Sequence, residues 1–233
     1  MAATPRPSLV TWDIDGTLLR TAPPFSNQAH KNAINEAVYA VHGTRITVDD
    51  VPHVGNTDLS IIRHMCTAAN VPAPQIDTEM QNVLRHAEEV IKVDGDTSHF
   101  VLPGVQKVLS VLSEYRVPCA LTTGNMAYIA DLKLKSAGLR SFFVGGAFGD
   151  EREDRADILK LAVQRCAPGV NMDEVVHVGD AVSDVQAAKR SGARSIAVAT
   201  GAYERRKLEA EKPDFIFDDL SDTQQFLKAV GLV

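Results

Sequence analysis

From Pro103 onward the chain alternates short apolar runs with helix-length amphipathic stretches, and this alternation restricts its architecture more than any other feature. Strands are expected over residues 118–121, 142–144, 175–178, 196–198 and 215–217. Helices are expected to begin after Pro103-Gly104, with Val105, Val108, Leu109 and Leu112 inward, and over 128–137, 156–165, 182–191 and 222–230. Short strands joined by helices favour a parallel sheet covered on both faces. One more strand former, Ser8-Leu9-Val10-Thr11-Trp12, stands near the start and breaks into the polar Asp13. The expected fold is therefore α/β, a Rossmann-like parallel sheet with helices on both faces.

Between the first strand and Pro103 the periodicity changes. Ala33, Ala37, Val38 and Val41 form one apolar stripe, Leu59, Ile62, Met65, Cys66 and Ala69 a second, and Met80, Val83, Leu84, Ala87 and Ile91 a third. Their spacing approximates the helical repeat. Asn56 or Thr57 is expected to start the second helix, with Pro72 and Pro74 marking its end. The segment reads as an inserted all-helical cap bounded near 19–26 and 94–103. The division is then core 1–19, cap 20–99 and core 100–233.

A formal charge of −6 opposes bulk association with nucleic acid but permits a local phosphate pocket. The charged run from Glu204 to Lys212 mixes both signs and reads as a solvated helix face. No apolar run is long enough for a membrane span or secretory leader, so no membrane partner is expected. Cys66, Cys119 and Cys166 lack metal-site spacing and cannot all pair. They are expected to be buried, reduced thiols, compatible with a cytoplasmic protein that is a monomer or homodimer.

The chemistry-bearing residues stand where strands end. Asp13 and Asp15 follow the first strand one residue apart, so on an extended end both carboxylates face one way, one as nucleophile and one as acid/base. Taken alone, an aspartate-rich turn that caps backbone amides explains them as well. A second acidic loop, Gly179-Asp180-Ala181-Val182-Ser183-Asp184, follows the 175–178 strand. If the two rims adjoin, these oxygens suit a hard divalent cation, although Asp184 would also serve as a helix cap. Thr123, ahead of Gly124 and Asn125, offers a hydroxyl and turn amides to phosphate oxygens. Arg155 follows an acidic stretch and can bridge phosphate and carboxylate, or form a surface ion pair.

Together these residues resemble the haloacid dehalogenase-like hydrolase superfamily, with a cap like that of its phosphoglycolate-phosphatase-like branch. Asp13-Ile14-Asp15-Gly16-Thr17 matches the first motif, Thr123 the second, Arg155 stands for the usual lysine of the third, and Gly179–Asp184 matches the fourth. No lysine lies between Lys135 and Lys160 to replace Arg155. The resemblance implies Asp13 as the nucleophile that becomes an aspartyl phosphate and Asp15 as the proton donor and acceptor. It implies Mg2+ on Asp13, the Asp15 carbonyl, Asp180 and Asp184, and phosphate on Thr123, Asn125 and Arg155. The implied activity is magnesium-dependent hydrolysis of a phosphorylated small molecule, with phosphoglycolate or a sugar phosphate as substrate. Phosphosugar mutase, inorganic pyrophosphatase and noncatalytic phosphate-binding regulator remain as alternatives. Arg45, His53, Gly55, Asn56 and Thr57 are the cap positions offered for substrate contact, with a turn and a helix cap as the plain reading of the last four.

Overall fold

The computed structural model describes residues 5–21, 26–92 and 97–233, without the side chains of Ser26 and His99. Strands β1 (Leu9–Trp12), β2 (Cys119–Thr122), β3 (Phe143–Ala147), β4 (Val175–Gly179), β5 (Arg194–Val198) and β6 (Phe215–Phe217) form one sheet in the order β3-β2-β1-β4-β5-β6. Every pairing is parallel. The strand order reverses at β1, which has β2 on one side and β4 on the other. In open α/β sheets this reversal leaves a crevice beyond the carboxyl ends of the strands.

The alternation of side chains across β1 divides the core. Val10 and Trp12 pack with helices α4 (Val105–Glu114), α5 (Ala127–Ser136) and α9 (Thr223–Val230), where Trp12 stacks on Phe226 with ring centroids 5.8 Å apart. Leu9 faces the other way, against α6 (Arg155–Cys166) and α7 (Val182–Ser191). Helix α8 (Arg205–Ala210) lies against α7, and its Arg205–Glu209 pair is the local charge compensation expected of that run. The sheet is thus covered on both faces, as the alternation predicts.

Helices α1 (Ser26–His42), α2 (Asp58–Ala68) and α3 (Ala73–Val90) form the inserted all-helical cap, with an apolar core of its own joined at its base by Met126 and Ile129. Thr57, not Asn56, caps α2, accepting from the Ser60 amide. Helix α2 ends at Ala68, ahead of the expected prolines, where Asn70 turns left-handed at φ 58° and the Val71 amide donates to the Cys66 carbonyl. Pro72 and Pro74 instead open α3, since proline needs no helical donor in a first turn. Leu19 bridges Val101 antiparallel, so the outgoing and returning connections run side by side. The expected borders at 19–26 and 94–103 fall partly on residues 22–25 and 93–96, outside those described. Cys66 and Cys119 are buried free thiols, but Cys166 is partly exposed, because it ends α6 at the sheet margin. Among the described residues no helix is long and apolar enough to cross a membrane.

Candidate active site

The crevice predicted by the strand order is where the acidic loops meet. The Asp13 amide donates to the Val178 carbonyl at 3.0 Å and prolongs the β1–β4 ladder by one step. The chain then folds over the Ile14 carbonyl, which accepts from the amides of Leu18 and Leu19 at 2.8 and 2.9 Å. Ile14 is fully buried in the core, so its neighbours Asp13 and Asp15 are turned to the crevice. Gly16 lies at φ +88°, and a Cβ there would overlap the Asp180 carboxylate. Replacing Gly16 by alanine is expected to cost about 1–3 kcal/mol of stability through the left-handed backbone alone. Displacement of Asp180 should add a weaker metal response, read by thermal melting with and without Mg2+.

Asp13, Asp180 and Asp184 each bring a carboxylate oxygen within 4.8 Å of the others, and all three are buried. Thr17 donates to Asp180 Oδ1 at 3.0 Å. Asp184 caps α7 through Oδ2, which accepts from the Ala181 amide at 3.0 Å, while its Oδ1 faces the cluster and Arg155. Arg155, the first residue of α6, turns inward rather than to the surface, with its side chain only 10% exposed. Its Nη2 lies 3.2 Å from Asp13 Oδ1 and also bonds Asp184. Thr123 stands at the end of β2, buried, and its hydroxyl accepts from the Asn125 side chain at 2.9 Å.

The electrostatics follow from this crowding. Burial, and then Asp184 and Asp15, push Asp13 up to about 6 against the pull of Arg155. Burial and the neighbouring Asp13 and Asp184 raise Asp180 well above the carboxylate range. Burial opposes ionisation of Asp184 too, but Arg155 and His177 outweigh it and bring the group down to about 2. One guanidinium does not balance three buried carboxylates, and the donors are all hard oxygens. The set therefore fits a hard divalent cation.

Asp15 stands apart from that cluster. Burial disfavours its charge, yet the Lys133 ammonium, placed to hydrogen-bond the carboxylate, outweighs burial and holds it below the usual range. Lys133 Nζ lies 2.5 Å from Asp15 Oδ2, with its side chain fully buried. Sequence reasoning missed Lys133, and also His30 and Asp58, which bond each other at 2.9 Å. It also missed His177, whose Nε2 lies 3.4 Å from Asp184 beneath the cluster. A signal for Lys133 was present: it occupies the buried stripe of α5 with Ile129, Ala130 and Leu134.

A cavity of about 590 Å³ opens above these groups. Asp13, Asp15, Thr123, Asn125, Arg155 and Asp180 line its floor, and Ile34, Val48, Val54 and Ile61 give the cap side an apolar wall. Of the cap positions offered for substrate contact, His53, Gly55 and Asn56 line this cavity. Arg45 is exposed elsewhere, and Thr57 is buried as the α2 cap.

Comparison with known proteins agrees with this geometry. The chain is 25% identical to phosphoglycolate phosphatase of Agrobacterium fabrum, over 95% of this chain and 92% of that one. It is 27% identical to phosphoglycolate phosphatase of Pseudomonas putida, over 92% of this chain and 77% of that one. Its fold is similar to that of β-phosphoglucomutase from Clostridium difficile, with a TM-score of 0.70 at 16% identity, over 95% of this chain and 96% of the other. The family model for haloacid dehalogenase-like hydrolase matches residues 7–192, a stretch that holds all three clustered carboxylates, Arg155 and the cap. The chain therefore belongs to the haloacid dehalogenase-like hydrolases and is a phosphatase-type enzyme.

Proposed function

We propose that this protein hydrolyses a small phosphomonoester with Mg2+ as cofactor, through a phosphorylated Asp13. The observation that carries the reading is the convergence of Asp13, Thr123, Arg155 and Asp180 on one cavity, since spacing in the sequence does not require it. It favours catalysis over a noncatalytic phosphate-binding role. The inserted cap is taken as residues 20–99 on a core of 1–19 and 100–233.

Asp13, the Asp15 carbonyl, Asp180 and Asp184 would hold Mg2+, which when bound offsets the repulsion between phosphate and carboxylate and stabilises charge in the transfer. Thr123, Asn125 and Arg155 would hold the phosphate oxygens. An Asp13 oxygen forms its bond to phosphorus as the bond to the leaving oxygen breaks, and Asp15 gives that oxygen a proton. Water then attacks phosphorus, returns a proton to Asp15 and frees Asp13. The second ionisation of a phosphate lies near pH 6, so a monoester can bring the first proton with it. The ion pair with Lys133 keeps Asp15 ready as the base of the second step.

Phosphoglycolate heads the candidate substrates, because the curated relatives above carry that activity in their names, and sugar phosphates follow. The test is phosphate release from phosphoglycolate, sugar phosphates, nucleotides and pyrophosphate, with and without Mg2+. Metal-dependent release from a monoester is expected. An isomeric sugar phosphate as product would indicate a mutase instead, and activity that persists without metal would refute the mechanism. Arg155→Ala is expected to lower kcat/KM by about 10²–10³-fold, the usual effect of losing one donor to developing charge. Unchanged kinetics would remove Arg155 from the site.

A further inference from the structure

Lys133 is the one described residue of α5 whose charge is enclosed by groups from both the cap and the core. Its ammonium reaches Asp15 Oδ2 at 2.5 Å and Asn125 Oδ1 at 3.2 Å on the core side. On the cap side it reaches Asn27 Oδ1 at 3.0 Å and His30 Nδ1 at 3.3 Å, both on α1. Burying an ammonium on an apolar stripe is costly unless its donors are satisfied, and an ammonium has only three. Half of the acceptors around this one are supplied by the cap. They surround it only while α1 is seated over the floor of the crevice.

The cap side of the network is itself tied down. His30 Nε2 lies 2.9 Å from Asp58 Oδ2, and that oxygen also accepts from the Met126 amide of the core at 2.7 Å. A carboxylate only accepts, so Nε2 carries the proton and the Nδ1 lone pair is left for Lys133. Asp58 further docks α2 through its own amide, which donates to the Gly124 carbonyl at 2.8 Å. On the core side, Asp15 Oδ1 is buried and has no hydrogen-bond partner among the described residues. The lysine thus holds one oxygen of Asp15, and the other is left without a partner beside the cavity that Asp15 lines.

We propose that Lys133 is a positioning residue. It holds the Asp15 carboxyl in one orientation for proton transfer to the leaving oxygen, and Asn27 and His30 couple that orientation to the seating of the cap. The proposal rests on the assignment of Asp15 as the proton-transfer group in phosphomonoester hydrolysis. It makes cap placement and readiness for proton transfer one event.

Leaving groups of different basicity separate orientation from bulk stability. An alkoxide needs Asp15 to protonate it as the phosphorus–oxygen bond breaks, whereas p-nitrophenolate departs without a proton. Lys133→Met is expected to lower kcat/KM for an alkyl phosphate by about 10²-fold, and to lower it for p-nitrophenyl phosphate by only a few-fold. The paired Asn27→Ala and His30→Ala changes, with Lys133 intact, should produce the same selective loss at about 10-fold or more. A parallel fall for both substrates, or no fall for either, overturns the proposal. Should Lys133→Met not fold, judged by thermal melting, the cap variant decides by the same criterion. Asp13→Asn is assayed alongside: if it keeps activity on both substrates, the covalent reading through Asp13 has failed, and not the role of Lys133 alone.

Discussion

Asp13→Asn is expected to reduce phosphate release from every substrate by about 10⁴-fold or more, the scale seen when a covalent nucleophile is removed from an otherwise intact site. An amide of the same shape keeps the packing but offers no anionic oxygen to phosphorus. Its neighbours Arg155 and Thr123 remain to bind the phosphate. The loss should therefore fall on kcat far more than on KM. Quenched reactions of the parent enzyme, examined by peptide mass spectrometry, should show a phosphoryl group on Asp13 that the variant lacks. Full activity in Asp13→Asn would remove the covalent mechanism altogether.

Metal binding should dominate stability, with a pH dependence that follows from the carboxylates. Asp13 is raised to about 6, and Asp180 is raised well above its usual range. Between about pH 4 and 6 the folded protein then binds more protons at Asp13 than the unfolded chain does, and Asp180 acts in the same direction. Their contribution favours folding at low pH and is lost as pH rises through the folded-state values. Asp184, lowered to about 2, has the opposite sign: its contribution is complete above about pH 4 and is lost as pH falls towards 2. At neutral pH the metal-free cluster is thus strained by unpaired charge, and a divalent cation relieves it. Mg2+ at about a hundred times its dissociation constant should add roughly 3 kcal/mol, or 5–10 °C in melting temperature. The gain should shrink below about pH 5, where protons occupy the same oxygens. Asp180→Asn should abolish both this response and Mg2+-dependent turnover, and leave the metal-free melting temperature at pH 7 equal to the parent value or higher. A variant that loses activity yet keeps the full Mg2+ shift would show that Asp180 does not hold the metal.

The site is legible in the sequence wherever a functional group adjoins a local signal. Asp13 and Asp15, Thr123, and Asp180 each follow an apolar strand, and a strand end in a parallel sheet is an exposed rim. Arg155 was legible through its place before a helix, but its inward turn was not, because nothing local distinguishes an inward first-turn arginine from a solvated one. Asp184 presented two alternatives that turned out to be compatible, one oxygen capping α7 and the other facing the cluster. His177 looked like an ordinary strand residue, and only the stacking of β4 against α7 places its ring under Asp184.

Local chemistry in the sequence determined the strands and helices, the inserted cap and the acids at the strand ends, because each depends on periodicity or on residues within one turn. Tertiary structure alone decided which charges meet. Lys133 and Asp15 are 118 positions apart, and Asn27 and His30 reach the same ammonium from another helix. A lysine on a buried stripe is legible as an anomaly, but its partners lie on segments that approach only when the cap closes over the sheet. Coulomb interactions act through space and not along the chain, so the pairing that sets the state of Asp15 has no local sequence signature.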